Sequence, residues 1–215
     1  MKNPNKRRAP KLYSYVVDHD TGEAPNPFFG FCTLCLCKYR SSMKKSRNIV
    51  ELAGTGDWLV GTGGIDLAKS AGHGKLIYAM RVTNKLTLGE YFRSPEFELK
   101  KPKPNGKKHW QYGDNLRPVG LFESSQRFVL ISDHFYYFGR NAIPIPPKAS
   151  PQLEKKGRGF KSGFDEAFIK RFAHWIERQS GFKPGRHGKP CKESEVVVAQ
   201  TREHQSSCPR CDDQC

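Results

Sequence analysis

Lys75-Leu-Ile-Tyr-Ala-Met-Arg-Val-Thr-Asn-Lys-Leu86 decides the fold class. Its β-branched and aromatic residues suit a pleated surface, and its apolar positions partly alternate. It reads as one long strand. Upstream, Gly56-Asp57 signals a turn, and Trp58-Leu-Val-Gly-Thr62 reads as a buried strand. Leu12 to Val17 reads as another. The glycines between these strands do not make a phosphate-cradling P-loop. Lys69 stands where the first glycine is required, and Leu76 follows Lys75 in place of Ser or Thr. That excludes a P-loop nucleotide triphosphatase. Downstream, Thr87 is placed to cap a short helix through Tyr91 and Phe92. Arg127-Phe-Val-Leu-Ile-Ser132 is a second strong strand, and Asp133-His134 reads as a turn or bulge at its end. Pro144, Pro146, Pro147 and Pro151 mark a stiff connector. Ser162 is expected to cap a helix from Phe164 to Gln179, with Phe164, Phe168, Phe172, Trp175 and Ile176 on its apolar face. Gly181 and Pro184 stop it, and residues 183–215 read as a tail.

These strands do not alternate with long helices, which excludes a parallel doubly wound sheet. The expected class is α+β: a small open β-barrel or a strongly bent mixed sheet with flanking helices. The expected organisation is a basic disordered arm at 1–11, one domain at 12–190 and a cysteine-containing tail at 191–215.

The chain has 215 residues, 36% of them hydrophobic and 12% aromatic, enough for one core. No apolar run is long enough to span a membrane. The basic start, Met1 to Lys11, has no apolar segment behind it, unlike a secretory signal, so the expected compartment is the cytoplasm. The net charge is +16. Residues 192–215 hold three Lys/Arg and five Asp/Glu, so residues 1–191 carry +18. A domain this basic points to a polyanionic partner, nucleic acid first.

The densest chemistry lies in Val16 to Lys38. Gly22, Pro25, Pro27 and Gly30 forbid a long helix and specify a shaped loop. Asp18, Asn26 and Thr33 offer donors and acceptors that match a base edge. Phe28, Phe29, Trp58 and Tyr136 are the candidate stackers, each of which also suits a core. Lys38, within a basic run at 38–48, and Lys107 and Lys108, beside Trp110 and Tyr112, are candidate phosphate contacts. For catalysis, His19, Asp20, Cys32 and His134 are the groups able to act as acid, base or nucleophile. A Cys32–His134 thiolate pair and an inert buried Cys32 are both open readings. Cys191, Cys208, Cys211 and Cys215 form a candidate structural zinc set, with His204 as an alternative ligand. A tail whose cysteines bind nothing is the other reading.

Several motifs, in order, resemble one family. They are Tyr15-Val-Val-x-His19-Asp-Thr-Gly22, Ala24-Pro-Asn-Pro-Phe28, Gly30-Phe-Cys32-Thr-Leu34, Cys37-Lys38, Gly56-Asp-Trp58, Leu76-Ile-Tyr-Ala-Met80-x-Val-Thr83 and Phe135-Tyr-Tyr-Phe-Gly139. The resemblance, over about residues 12–190, is to the second nucleotide modification associated domain family. Tyr39 stands where the pattern has proline. The resemblance implies a prokaryotic or phage protein linked to DNA base modification, with DNA and other proteins of such a system as partners. A looser similarity, a Gly-Asp turn before one strand and Val-Thr ending the next, is to PUA-like and EVE domains, which hold a modified or flipped base. Two functions follow as expectations: a module that holds a modified base in an aromatic and polar pocket, or an enzyme acting on the base through Asp, His or Cys.

Overall fold

All six side chains of β1 (Leu12–Val17) are buried, as are those of β3 (Trp58–Gly63). A strand buried on both faces must be covered on both, and the molecule is layered accordingly. The computed structural model describes residues 8–35, 48–100 and 127–192. The other strands are β2 (Cys32–Leu34), β4 (Lys75–Arg81), β5 (Asn84–Thr87), β6 (Phe128–Ser132), β7 (His134–Tyr137), β8 (Ile143–Pro144), β9 (Phe160–Lys161) and β10 (Gly185–Arg186). The helices are α1 (Ile49–Leu52), α2 (Leu88–Arg93), α3 (Ser150–Leu153) and α4 (Glu166–His174). The fold is mixed α and β. The larger sheet runs β10-β7-β4-β3-β1-β9, with β8 on β4, and the smaller runs β2-β6-β5. β1 and β3 are parallel, and β3, β4 and β7 are antiparallel neighbours. The larger sheet ends at β10 and β9 and does not close into a barrel.

The two sheets share a bent ribbon. β4 pairs with β7 from Tyr78↔Tyr137 to Arg81↔His134, and β5 pairs with β6 from Asn84↔Ile131 to Thr87↔Phe128. The same register runs through the bend at Val82-Thr83 and Ser132-Asp133. Hydroxyls hold the corner. Ser132 Oγ donates to Arg81 O at 2.6 Å, and Thr83 Oγ1 accepts from Asp133 N at 3.2 Å. Lys75 to Leu86, expected as one strand, is therefore two strands in two sheets.

Side-chain alternation along the strands sorts the core. Tyr13, Tyr15, Leu59, Met80, Phe135 and Tyr137 pack on one face of the larger sheet with Cys32, Leu34, Ile49 and Leu130. Leu12, Trp58, Val60, Tyr136 and Phe138 pack on the other, against Phe168, Ile169 and Phe172 of α4. Each such burial contributes about 1.5–3 kcal/mol before chain entropy is counted.

Local signals set the helix ends. Thr87 caps α2 in a reciprocal box with Glu90. At α4, Asp165 Oδ1 accepts from Phe168 N at 2.6 Å. The cap is thus Asp165 and not Ser162, because the carboxylate sits three residues before that amide. The segment from residue 183, read as tail-like in composition but inside the expected 12–190 domain, carries a strand of the larger sheet. Gly185 and Arg186 pair with Tyr136 and Tyr137. The end of the expected arm is also anchored: Asp57 accepts from Arg8 Nη2 at 2.6 Å and Lys11 N at 2.8 Å. No helix among the described residues is long and apolar enough to cross a membrane.

Candidate functional site

Residues 18–33 fold back on themselves. Asn26 and Thr33 exchange both backbone hydrogen bonds at 2.9 Å. This pairing turns the Asn26 side chain inward, and a buried cation meets it. Lys100 is 1% exposed. Its Nζ donates to Asn26 Oδ1 at 2.6 Å, to Asn26 O and Phe28 O at 3.1 Å, and to Phe31 O at 3.2 Å. A buried ammonium is costly unless its donors are satisfied, and the loop's carbonyls satisfy it. Because Oδ1 faces the lysine, Asn26 Nδ2 is fixed as the free end. It is fully buried and has no hydrogen-bond partner. Phe29 holds φ +57°, an outlier for a bulky residue. The neighbouring Phe28 ring lies 4.8 Å beneath the exposed Arg186 guanidinium. Gly22 is required here. It has φ +75°, and a Cβ would sit 2.6 Å from Pro190 Cγ and 3.0 Å from the Phe28 ring.

A second cluster joins the loop to β7 and the C-terminal segment. Asp20 is 1% exposed. Its carboxylate accepts from Tyr137 Oη at 2.6 Å and from Cys191 N at 3.1 Å. Burial raises the Asp20 carboxyl above its ordinary range against the pull of these donors. Burial, with the Asp20 charge, lifts the Tyr137 phenol well above its usual range and pushes the Cys191 thiol up to about 12.

The remaining sequence candidates divide by place. Asn26, Phe28, Phe29 and Thr33 come together in the loop, and Asp20 in the second cluster. Asp18 and His19 are exposed at the end of β1. Cys32 is buried on β2, where its charge would bear on Tyr137. Trp58 and Tyr136 lie on the opposite face of the larger sheet, since Tyr136 and Tyr137 are strand neighbours that point opposite ways. The Trp58 ring meets Phe172 edge-on at 5.7 Å, and both Trp58 and Tyr136 contact the His134 ring. His134 is thereby kept from Cys32. Its Nε2 lies 3.4 Å from Glu177 Oε1, too poorly aligned for a hydrogen bond. Lys38, Lys107, Lys108, Cys208, Cys211 and Cys215 lie outside the described residues. Among the described residues no three His, Cys, Asp or Glu side chains gather as a metal site.

A family model described as nucleotide modification associated domain 2 matches residues 9–121 and 122–197. The chain belongs to this family. No curated protein and no solved structure matches it. The larger sheet takes β1, β3 and β4 from the first matched segment and β7, β9 and β10 from the second. The nucleotide modification associated domain 2 fold of this chain thus includes the C-terminal strand that closes over Phe28. Sequence reading missed Lys100, Tyr137 and Arg186 in these clusters. Lys100 reads as part of a basic run, Tyr137 as part of an apolar strand and Arg186 as part of a tail. The available signal was a lysine following the Phe97-Glu-Leu turn, which charge counting alone does not separate from its exposed neighbours.

Proposed function

We propose that this member of the family is a nucleic-acid-binding module of a DNA base-modification system, and that residues 18–33 hold a modified base. The family match supports the setting, and the net charge of +16 supports a polyanionic partner. The observation that carries the reading is the Asn26 amide. Its oxygen is gripped by Lys100 while its nitrogen is a buried donor without a partner. Leaving such a donor unpaired costs about 1–3 kcal/mol, which a base acceptor would recover. Thr33, paired with Asn26 through the backbone, and Asp18, exposed at the end of β1, are the further proposed readers, Phe28 and Phe29 supply π-faces, and Arg186 supplies charge. Lys38, Lys107 and Lys108 remain the proposed phosphate contacts. The site holds the base in the manner of a PUA-like or EVE module, and other modification proteins are its partners in the cytoplasm.

One observation favours a second reading. Asp20, buried with its carboxyl raised, beside Tyr137 and Cys191, is a group suited to general acid work on a base. One experiment separates the two. Fluorescence anisotropy with oligonucleotides carrying modified or ordinary bases should show saturable binding, weakened about tenfold in Asn26→Ala. A parallel nucleoside digest should show no altered base. Phe29→Ala, at a half-buried position, repeats the test should loss of the Asn26 anchor unfold the loop. Binding unchanged in both variants overturns the site, and an altered nucleoside made by the wild type and lost in Asp20→Asn establishes the enzyme reading instead.

A further inference from the structure

Behind the larger sheet, on the side away from the loop, α4 and the proline connector enclose a groove of about 790 Å³. Its floor is aromatic: Phe168 and Phe172 are buried, and Trp175 is half-buried with its ring 5.9 Å from Phe172. Trp58 supports this floor from beneath through its edge contact with Phe172. The rim is basic. Lys148 stands on the connector side, and Lys170, Arg171 and His174 stand on α4, all four exposed. Lys170 is spanned by Glu166 at 2.7 Å. No carboxylate among the described residues pairs with Lys148, Arg171 or His174. A half-exposed indole beside Lys148 and Arg171, two cations that no carboxylate among the described residues pairs, fits a ligand that is flat and apolar on one side and anionic on the other. Unpaired nucleotides combine those features, since every base offers a π-face and every link a phosphate. A duplex keeps its bases stacked inside and leaves the indole nothing to cover.

We propose that this groove binds single-stranded nucleic acid, with a base stacked on Trp175 and phosphates on Lys148 and Arg171. The inference rests on the nucleic-acid reading above and adds to it a second contact surface and a strand state. The strand beside the held base would be gripped unpaired on the back of the sheet.

The test uses the full chain and a labelled oligothymidylate of about eight nucleotides. Trp175→Ala should weaken binding about 5- to 100-fold. Lys148→Ala with Arg171→Ala should lower the log–log salt slope by about 1.4, the share of two phosphates on a single strand. Both cations are exposed, so the double variant carries the test alone should Trp175→Ala fail to fold. Variants that bind the oligonucleotide like the wild type, while Asn26→Ala still binds modified DNA more weakly, overturn the groove and leave the loop reading standing. A wild type that binds modified DNA but no oligothymidylate overturns the groove alone, and one that binds neither overturns both. Poly-glutamate displacing the oligonucleotide as well as unlabelled oligothymidylate does would overturn stacking and assign the groove to an acidic protein.

Discussion

Asp20 and Lys100 are charges taken out of water and answered by different means. Lys100 is met by carbonyl and amide oxygens of residues 26–31. Asp20 is met by the Tyr137 phenol, the backbone and thiol of Cys191 and the Gly22 amide, which do not fully offset its burial, and its carboxyl is raised from 3.8. The folded state then holds the Asp20 proton more tightly than the unfolded chain does. Its contribution to stability is complete below about pH 3.8 and fades as pH rises through the raised value. Urea unfolding of wild type and Asp20→Asn across that interval should show the wild type losing ground to the variant as pH increases. A constant difference would mean that the carboxyl is not perturbed. Neither partnership was legible in the sequence. Lys100 lies 74 residues from Asn26, and Tyr137 lies 117 from Asp20. Residue type reports a charge or a ring, and only the fold reports what stands opposite it.

Elements were easier to read where a local rule decides them. β1 was legible to the residue, because an apolar run bounded by polar turns has one reading. The Thr87 cap was legible because Glu90 completes its box. The bend was not, because Val82 and Thr83 are good strand formers and the corner is made by hydroxyls meeting across the ribbon. Ser162 was the expected cap of α4, and Asp165 takes that place because its carboxylate stands three residues before the Phe168 amide. Asp165→Ala should therefore cost about 1 kcal/mol in chemical denaturation, and Ser162→Ala less than about 0.5 kcal/mol. Equal losses at both positions would contradict this assignment of the helix start. The folded-back loop at residues 18–33 was legible as a non-helical segment from its proline and glycine punctuation. Trp58 and Tyr136 went to the other face because strand alternation, invisible without the pairing, decides which layer a ring enters.

At the scale of the whole molecule, the two proposed surfaces lie on opposite faces of the larger sheet. One carries the loop closed by the C-terminal strand, and the other carries α4 and its aromatic groove. On the proposed reading, the chain's net charge of +16 would make long-range attraction to a polyanion the first event. The most direct measurement is the affinity of the full chain for a DNA oligonucleotide bearing a modified base, followed from about 50 to 200 mM salt, a range in which phosphate contacts dominate the change. Saturable binding whose logarithm falls linearly with the logarithm of salt concentration is the predicted result. Absence of binding at the lowest salt would contradict the account.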